Sequence, residues 1–188
     1  MVIRCRKKST KKFYAMKIIQ KLDLLRTYQH QPDMVDVEVK ALAALRHPFI
    51  VSMDYSFQTP QFGFIIMELV DGGTLVSVMQ SFRKKVLRES HLRFYIAEIA
   101  EALHYLHGVG LTYRDLKPAN VLIGMDGHVK LADLGGVTAT GDDVIRSKSS
   151  DEPMNVYATS SATNAAPAFD IENLTHPVRR RTVFGTRG

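Results

Sequence analysis

The feature that most constrains this chain is a short run of charge set between regular elements. Tyr113-Arg114-Asp115-Leu116-Lys117-Pro118-Ala119-Asn120 follows a stretch of helical period and precedes two short β-rich segments, after which comes Ala132-Asp133-Leu134-Gly135. In 89–107, Leu92, Ile96, Ile99, Leu103 and Leu106 recur at helical spacing and predict one amphipathic helix with that stripe inward. Segments 120–124 and 128–132 read as strands around the turn Met125-Asp126-Gly127. Two carboxylates, a lysine and an amide are thus held in loops whose ends are fixed by secondary structure. Such loops carry chemistry more often than packing.

The rest of the chain supplies a scaffold for them. Residues 2–6 and 12–19 are rich in Val, Ile, Phe and Tyr around the polar Lys7–Lys11, a hairpin signal. Asp33 is a candidate N-cap for a helix over 33–45, with Val35, Ala41, Leu42 and Leu45 at helical spacing and His47-Pro48 as its stop. Segments 50–57 and 62–69 read as two further strands, and Asp71-Gly72-Gly73 marks a break before helical sequence resumes. Strands with one helix, followed by mostly helix with a small hairpin, predict an α+β chain of two lobes. From Ala139 to about Val178 the residues are mainly Ser, Thr, Ala, Asn and Asp without period, so 139–178 reads as an unstructured loop.

Composition excludes several classes. The single cysteine, Cys5, rules out an internal disulfide and a multi-cysteine zinc site. The longest apolar run, Phe62–Val70, contains Glu68 and is too short to span a bilayer. No signal-peptide core precedes the basic run Arg6–Lys12, so an intracellular protein, cytoplasmic or nuclear, is expected. The net charge of +6 favours anionic partners in general. His104 and His107 are three apart, but no carboxylate or cysteine pattern joins them, and they read as helix-packing residues.

The string 113–120 resembles the catalytic loop of eukaryotic-type serine/threonine protein kinases, and Ala132-Asp133-Leu134-Gly135 resembles their D-F-G motif, with Leu134 in the apolar place of Phe. A tyrosine opening the loop resembles the AGC group. The resemblance implies a bilobal kinase fold, incomplete at both ends: 1–70 a partial N-lobe lacking the glycine-rich loop, 71–138 a partial C-lobe, 139–178 an activation-segment insertion, and 179–188 the end of that segment. It implies ATP and Mg²⁺ as cofactors and a protein substrate. Asp115 would accept the proton of the attacking hydroxyl, Lys117 would neutralise charge on the transferred group, and Asn120 and Asp133 would bind Mg²⁺.

The same resemblance assigns the remaining positions. Phe13-Tyr14-Ala15-Met16-Lys17 matches the strand whose lysine reaches the α- and β-phosphates, so Lys17 would pair with Glu38 on the following helix. Met67 would be the gatekeeper, with backbone groups near Glu68 and Val70 bonding adenine, and Val2, Ala15 and Leu122 enclosing the purine. Within Arg179-Arg180-Arg181-Thr182-Val183-Phe184-Gly185-Thr186, Thr182 falls at the phosphorylation position of an upstream activating kinase, and its phosphate would pair with Arg114. Thr186 would bond near Asp115 and Lys117. Ala119 and Thr74 stand where AGC relatives carry acidic residues, so a preference for basic substrates does not carry over.

Taken singly, Asp115, Asp133, Lys17 and Glu38 also read as solvated turn or helix residues; their order makes the kinase reading. Two other readings stand beside it. One is a catalytically inactive kinase-like fragment that binds a partner. The other is a basic nucleic-acid binder using Arg4, Arg6, Lys7, Lys8, Lys11 and Lys12, although no aromatic stacking motif accompanies that run.

Overall fold

The computed structural model describes residues 1–22, 42–82, 86–139 and 168–171. Glu38, Thr182, Thr186, Arg179–Arg181 and most of the helix expected over 33–45 lie outside the described residues, with only 42–44 of that helix seen as helical. In chain order the strands are β1 (Val2–Lys7), β2 (Phe13–Gln20), β3 (Met53–Gln58), β4 (Phe62–Glu68), β5 (Leu111–Thr112), β6 (Val121–Ile123), β7 (Val129–Leu131), β8 (Thr138–Ala139) and β9 (Phe169–Ile171). The helices are α1 (Leu75–Ser81) and α2 (Glu89–Gly108). The described residues divide into two units, 1–22, 42–45, 52–69 and 168–171 in the first and 46–51, 70–82 and 86–139 in the second.

The first unit is an antiparallel sheet in the order β3-β4-β2-β1-β9. The expected hairpin at its centre forms, with Lys7 N–H donating to Lys12 O at 2.9 Å and Lys11 taking a left-handed φ of 59° in the turn. Alternation along the strands sends Ile3, Cys5, Tyr14, Met16 and Ile66 to one buried face, where Ile18, Tyr55, Phe57, Phe64 and Phe169 pack against them. β9 comes from within 139–178, and the expectation of an unstructured span fails at these residues. A three-residue strand gives too little periodicity to be read from sequence.

In the second unit, Val121, Ile123, Val129 and Leu131 of the β6–β7 hairpin are buried. Its turn is the expected one: Gly127 takes φ 87°, and His128 N–H donates to Asp126 Oδ1 at 3.1 Å. Residues 46–51 join this unit because Leu131 N–H donates to Phe49 O at 2.8 Å and Val51 N–H to Leu131 O at 2.9 Å. The strand expected from residue 50 therefore starts only at Met53.

Helix α2 forms where expected and buries Leu106 of the expected stripe, with Ile99 and Leu103 half-buried, but its first half turns a different column inward. Tyr95, Glu98, Ala102 and Leu106 are buried, whereas Leu92 is 44% and Ile96 54% exposed. The physical reason is Glu98. Its Oε2 accepts the Val129 N–H at 2.9 Å, and its Oε1 lies 2.5 Å from His128 Nδ1, so the column facing β7 is set by a carboxylate. His104 and His107 are both exposed, which corrects their reading as packing residues.

The Glu98 carboxylate, with a smaller contribution from Asp126, raises the His128 pKa above its ordinary 6.5. A raised folded pKa contributes stability in full below the unfolded value, and that contribution fades as pH rises through the folded value. Urea unfolding of the wild type is expected to lose stability from about pH 6.5 upward relative to His128→Asn. Parallel pH profiles for the two proteins would contradict this.

The turn Asp71-Gly72-Gly73 is docked directly on β6. Ile123 N–H donates to Gly73 O at 2.8 Å, and a Cβ on Gly72 would lie 2.2 Å from Ile123 O, a backbone atom that cannot swing aside. Gly72→Ala is expected to cost about 2–3 kcal/mol in urea unfolding. The control is Gly108→Ala, whose added methyl meets nothing within 4 Å and which is expected to be neutral or slightly stabilising.

Candidate active site

Two strand pairs hold the polar loops side by side. β5 pairs with β8 through Leu111↔Ala139 and Thr112↔Thr138, and β6 pairs with β7 through Val121↔Leu131. Residues 113–120 leave β5 and enter β6, while 132–137 leave β7 and enter β8. The two loops are therefore anchored at both ends to the same two strand pairs. Ala132 N–H donates to Asn120 O at 2.9 Å and ties them together in the middle.

Tyr113 is the strut of this arrangement. Its ring is buried, and its hydroxyl donates to Ala132 O at 2.5 Å, the carbonyl just before Asp133. Burial, reinforced by the Asp133 carboxylate, holds the phenol protonated well above its ordinary range. Sequence reading named Tyr113 only as a family trait; an aromatic residue opening a charged loop was the available signal of an anchor. Gly136 was also missed: a Cβ there would sit 3.4 Å from Asp115 Cβ.

Past Tyr113 the backbone turns sharply. Arg114 takes a left-handed φ of 62°, and Asp115 N–H donates to Tyr113 O at 2.8 Å. Arg114 is exposed and Asp115 half-buried. Lys117 Nζ donates to both Asp115 oxygens, at 2.7 Å to Oδ2 and 3.0 Å to Oδ1. Asn120, on the 3-10 turn Pro118–Asn120, is buried and donates from Nδ2 to Asp115 Oδ2 at 2.8 Å and Asp115 O at 3.0 Å. The Lys117 ammonium, then the Asn120 amide, hold the Asp115 carboxyl below the usual carboxylate range. The result is an ionised carboxylate of fixed orientation that still reaches solvent.

Asp133 is exposed and takes a left-handed φ of 58°, uncommon for a side-chain-bearing residue. The next residue, Leu134, is buried. Among the described residues no group of three or more His, Cys, Asp or Glu could hold a metal ion. Mg²⁺ takes hard oxygen ligands and is usually held through one or two carboxylates together with phosphates, and Asn120 and Asp133 are donors of that kind. Because the Asn120 nitrogen is committed to Asp115, its Oδ1 is the atom with lone pairs to give.

The first unit brings a second group of the expected residues onto one face. Val2 is opposite Lys17, Ala15 lies two residues before Lys17, and Met67 is opposite Ala15. Arg4, opposite Ala15, stacks its guanidinium 4.0 Å from the centre of the Phe13 ring. At the end of β4, Glu68 N–H donates to Ser52 O at 3.0 Å and Glu68 Oε1 accepts from Ser52 N–H at 2.8 Å. Val70 lies in the second unit, as does Leu122, which bridges to Thr74.

The protein kinase domain family matches residues 1–160 of the chain. Serine/threonine-protein kinase Sgk2 of Mus musculus is 41% identical over 134 residues, covering 71% of this chain and 36% of its own length. Protein kinase 3 of Dictyostelium discoideum is 40% identical over 147 residues, covering 78% of this chain and 16% of its own length. Serine/threonine-protein kinase Sgk1 of Danio rerio is 40% identical over 134 residues, or 71% of this chain and 30% of its own length. The chain thus spans about a third or less of the length of these relatives.

Proposed function

Because this chain belongs to the protein kinase domain family, we propose that it transfers the γ-phosphoryl group of ATP to a serine or threonine hydroxyl of a protein substrate. The observation that carries this reading is the Asp115 carboxylate, ionised, solvent-reaching and locked by Lys117 and Asn120. Phosphoryl transfer asks the protein for alignment and charge neutralisation rather than covalent participation.

In this reading the substrate hydroxyl donates a hydrogen bond to Asp115, which aims its oxygen at the γ-phosphorus. The new O–P bond forms as the bond between the γ-phosphorus and the β,γ-bridging oxygen breaks, and the hydroxyl proton passes to Asp115. A carboxylate of lowered pKa is a weak base, which suits a proton transfer that comes late, once the hydroxyl has been acidified by bonding to phosphorus. Lys117 places an ammonium beside the same carboxylate, where it can stabilise negative charge on the group in flight. Asn120 and Asp133 would hold Mg²⁺, which when bound offsets phosphate charge.

Lys17 would take the α- and β-phosphates, and Val2, Ala15 and Met67, on the same sheet face, would line the purine. Adenine would be read by backbone groups near Glu68, whose carboxylate and N–H are both held by Ser52. Phosphorylated Thr182 would pair with Arg114, and Thr186 would bond near Asp115 and Lys117. The test is metal dependence. Transfer of labelled phosphate is expected to vanish in excess EDTA and return with added Mg²⁺; transfer that persists in EDTA would sink the reading.

A further inference from the structure

Two lysines meet at the base of the central hairpin, where Lys7 N–H donates to Lys12 O at 2.9 Å. Strand alternation puts both side chains on the face that carries Cys5 and Tyr14. Lys12 has a carboxylate there, with Asp54 Oδ2 at 3.5 Å, and its ammonium lies 4.9 Å from the centre of the Tyr14 ring. Lys7 has none among the described residues. Its Nζ donates instead to the Tyr55 hydroxyl oxygen at 2.7 Å and lies 4.5 Å from the centre of the same ring. That bond raises the Lys7 pKa above its ordinary 10.5, so the ammonium is permanent at neutral pH.

The phenol oxygen is held in place from the other side too. The Tyr55 ring meets Tyr14 edge-on at 6.0 Å and Phe169 at 5.9 Å. Lys7 belongs to β1 and Tyr55 to β3, so their bond crosses the face over the intervening β2 and β4. Both residues are half-buried, so a group added at the oxygen still meets solvent. The β3–β4 register slips between Met53 and Tyr55, an irregularity that interrupts the ladder directly before the tyrosine and lets the strand bend there. A fixed cation thus faces a neutral oxygen, in a place where the backbone can yield to a modifying enzyme.

We propose that Tyr55 is a phosphorylation site, modified by a separate protein tyrosine kinase, and that Lys7, with Lys12 beside it, is the seat of the phosphate. In that step the phenol oxygen bonds to the γ-phosphorus of ATP as the bond to the β,γ-bridging oxygen breaks. The phenol proton passes to a base of the modifying enzyme, and ADP leaves. The product sets close to two negative charges where Lys7 now meets a neutral acceptor, and an ion pair then ties β1 to β3. The proposal stands independently of phosphoryl transfer at Asp115.

The full chain is treated with ATP, Mg²⁺ and a purified protein tyrosine kinase of broad specificity, and the sites are located by peptide mass spectrometry. A sample without the added enzyme is the control. Phosphate on Tyr55 of the folded chain is expected; modification only after denaturation in urea, or none, would overturn the site. The seat is tested on a chain synthesised with phosphotyrosine at position 55. Its ³¹P resonance should titrate about half a unit lower in pH than in the same chain carrying Lys7→Gln. Lys11→Gln, a change at an exposed residue of the same turn, should leave the titration where it is. Equal titrations with and without Lys7, or an equal displacement by Lys11→Gln, would overturn the role of Lys7.

Discussion

Asp115→Asn is expected to lower kcat for phosphoryl transfer about a thousandfold, the range associated with loss of a positioned general base. The substitution keeps the shape of the side chain and changes two things. An amide cannot take the hydroxyl proton, and its NH₂ cannot accept from the donors that converge on Asp115: Lys117 Nζ at 2.7 Å and Asn120 Nδ2 at 2.8 Å, both on Oδ2. The Lys117 ammonium also loses its counter-charge. KM for ATP should change little, because Asp115 contributes to the transition state and not to nucleotide binding. Urea unfolding should be nearly unchanged, since the carboxylate is solvent-reaching and surface pairs contribute little to stability. A fall in kcat accompanied by an equal rise in KM, or no fall at all, would mean that Asp115 does not align the acceptor.

The second large effect is structural. Glu98→Ala is expected to destabilise the second unit by about 3 kcal/mol, measured by urea unfolding, because it empties a buried site and strands a buried donor. Val129 is fully buried, and its N–H has the Glu98 carboxylate as partner at 2.9 Å. Glu98→Gln retains an acceptor for that N–H and should cost less than half as much. The consequence reaches the candidate site through the β7 strand, which leads from Val129 through Leu131 to Ala132, the acceptor of the Tyr113 hydroxyl. Equal losses for the two substitutions would assign the effect to packing alone.

These two residues show what sequence could and could not reveal. The loops that carry Asp115, Lys117, Asn120 and Asp133 were legible because a run of unlike charges between strongly periodic segments has few structural uses, and because its order matches one family. The central hairpin was legible from the polar Lys7–Lys11 between β-rich runs. The buried face of α2 was legible only in its second half, at Leu106: Leu92 and Ile96 have the right spacing for a core stripe but are exposed, and the buried column carries Glu98. Periodicity locates apolar residues, but it does not reveal which column finds a partner, still less that a carboxylate bonded to backbone can define it. Strand β9 was hidden for a different reason. Three residues in a tract of Ser, Thr, Ala and Asn carry no local signal, and their pairing depends on Lys8, Arg6 and an aromatic slot far away in sequence.

Among the described residues no helix is long and apolar enough to cross a membrane. Of the groups read from sequence, Val2, Ala15, Lys17 and Met67 share a face of the first unit, and Asp115, Lys117 and Asn120 form one bonded cluster in the second.

The most direct test follows the γ-phosphoryl group itself. The chain is incubated with γ-labelled ATP, Mg²⁺ and a serine- and threonine-bearing protein, and the label is located by phosphoamino-acid analysis. The account predicts label on serine or threonine, lost with Asp115→Asn. Label found only in inorganic phosphate, or on tyrosine, would contradict it.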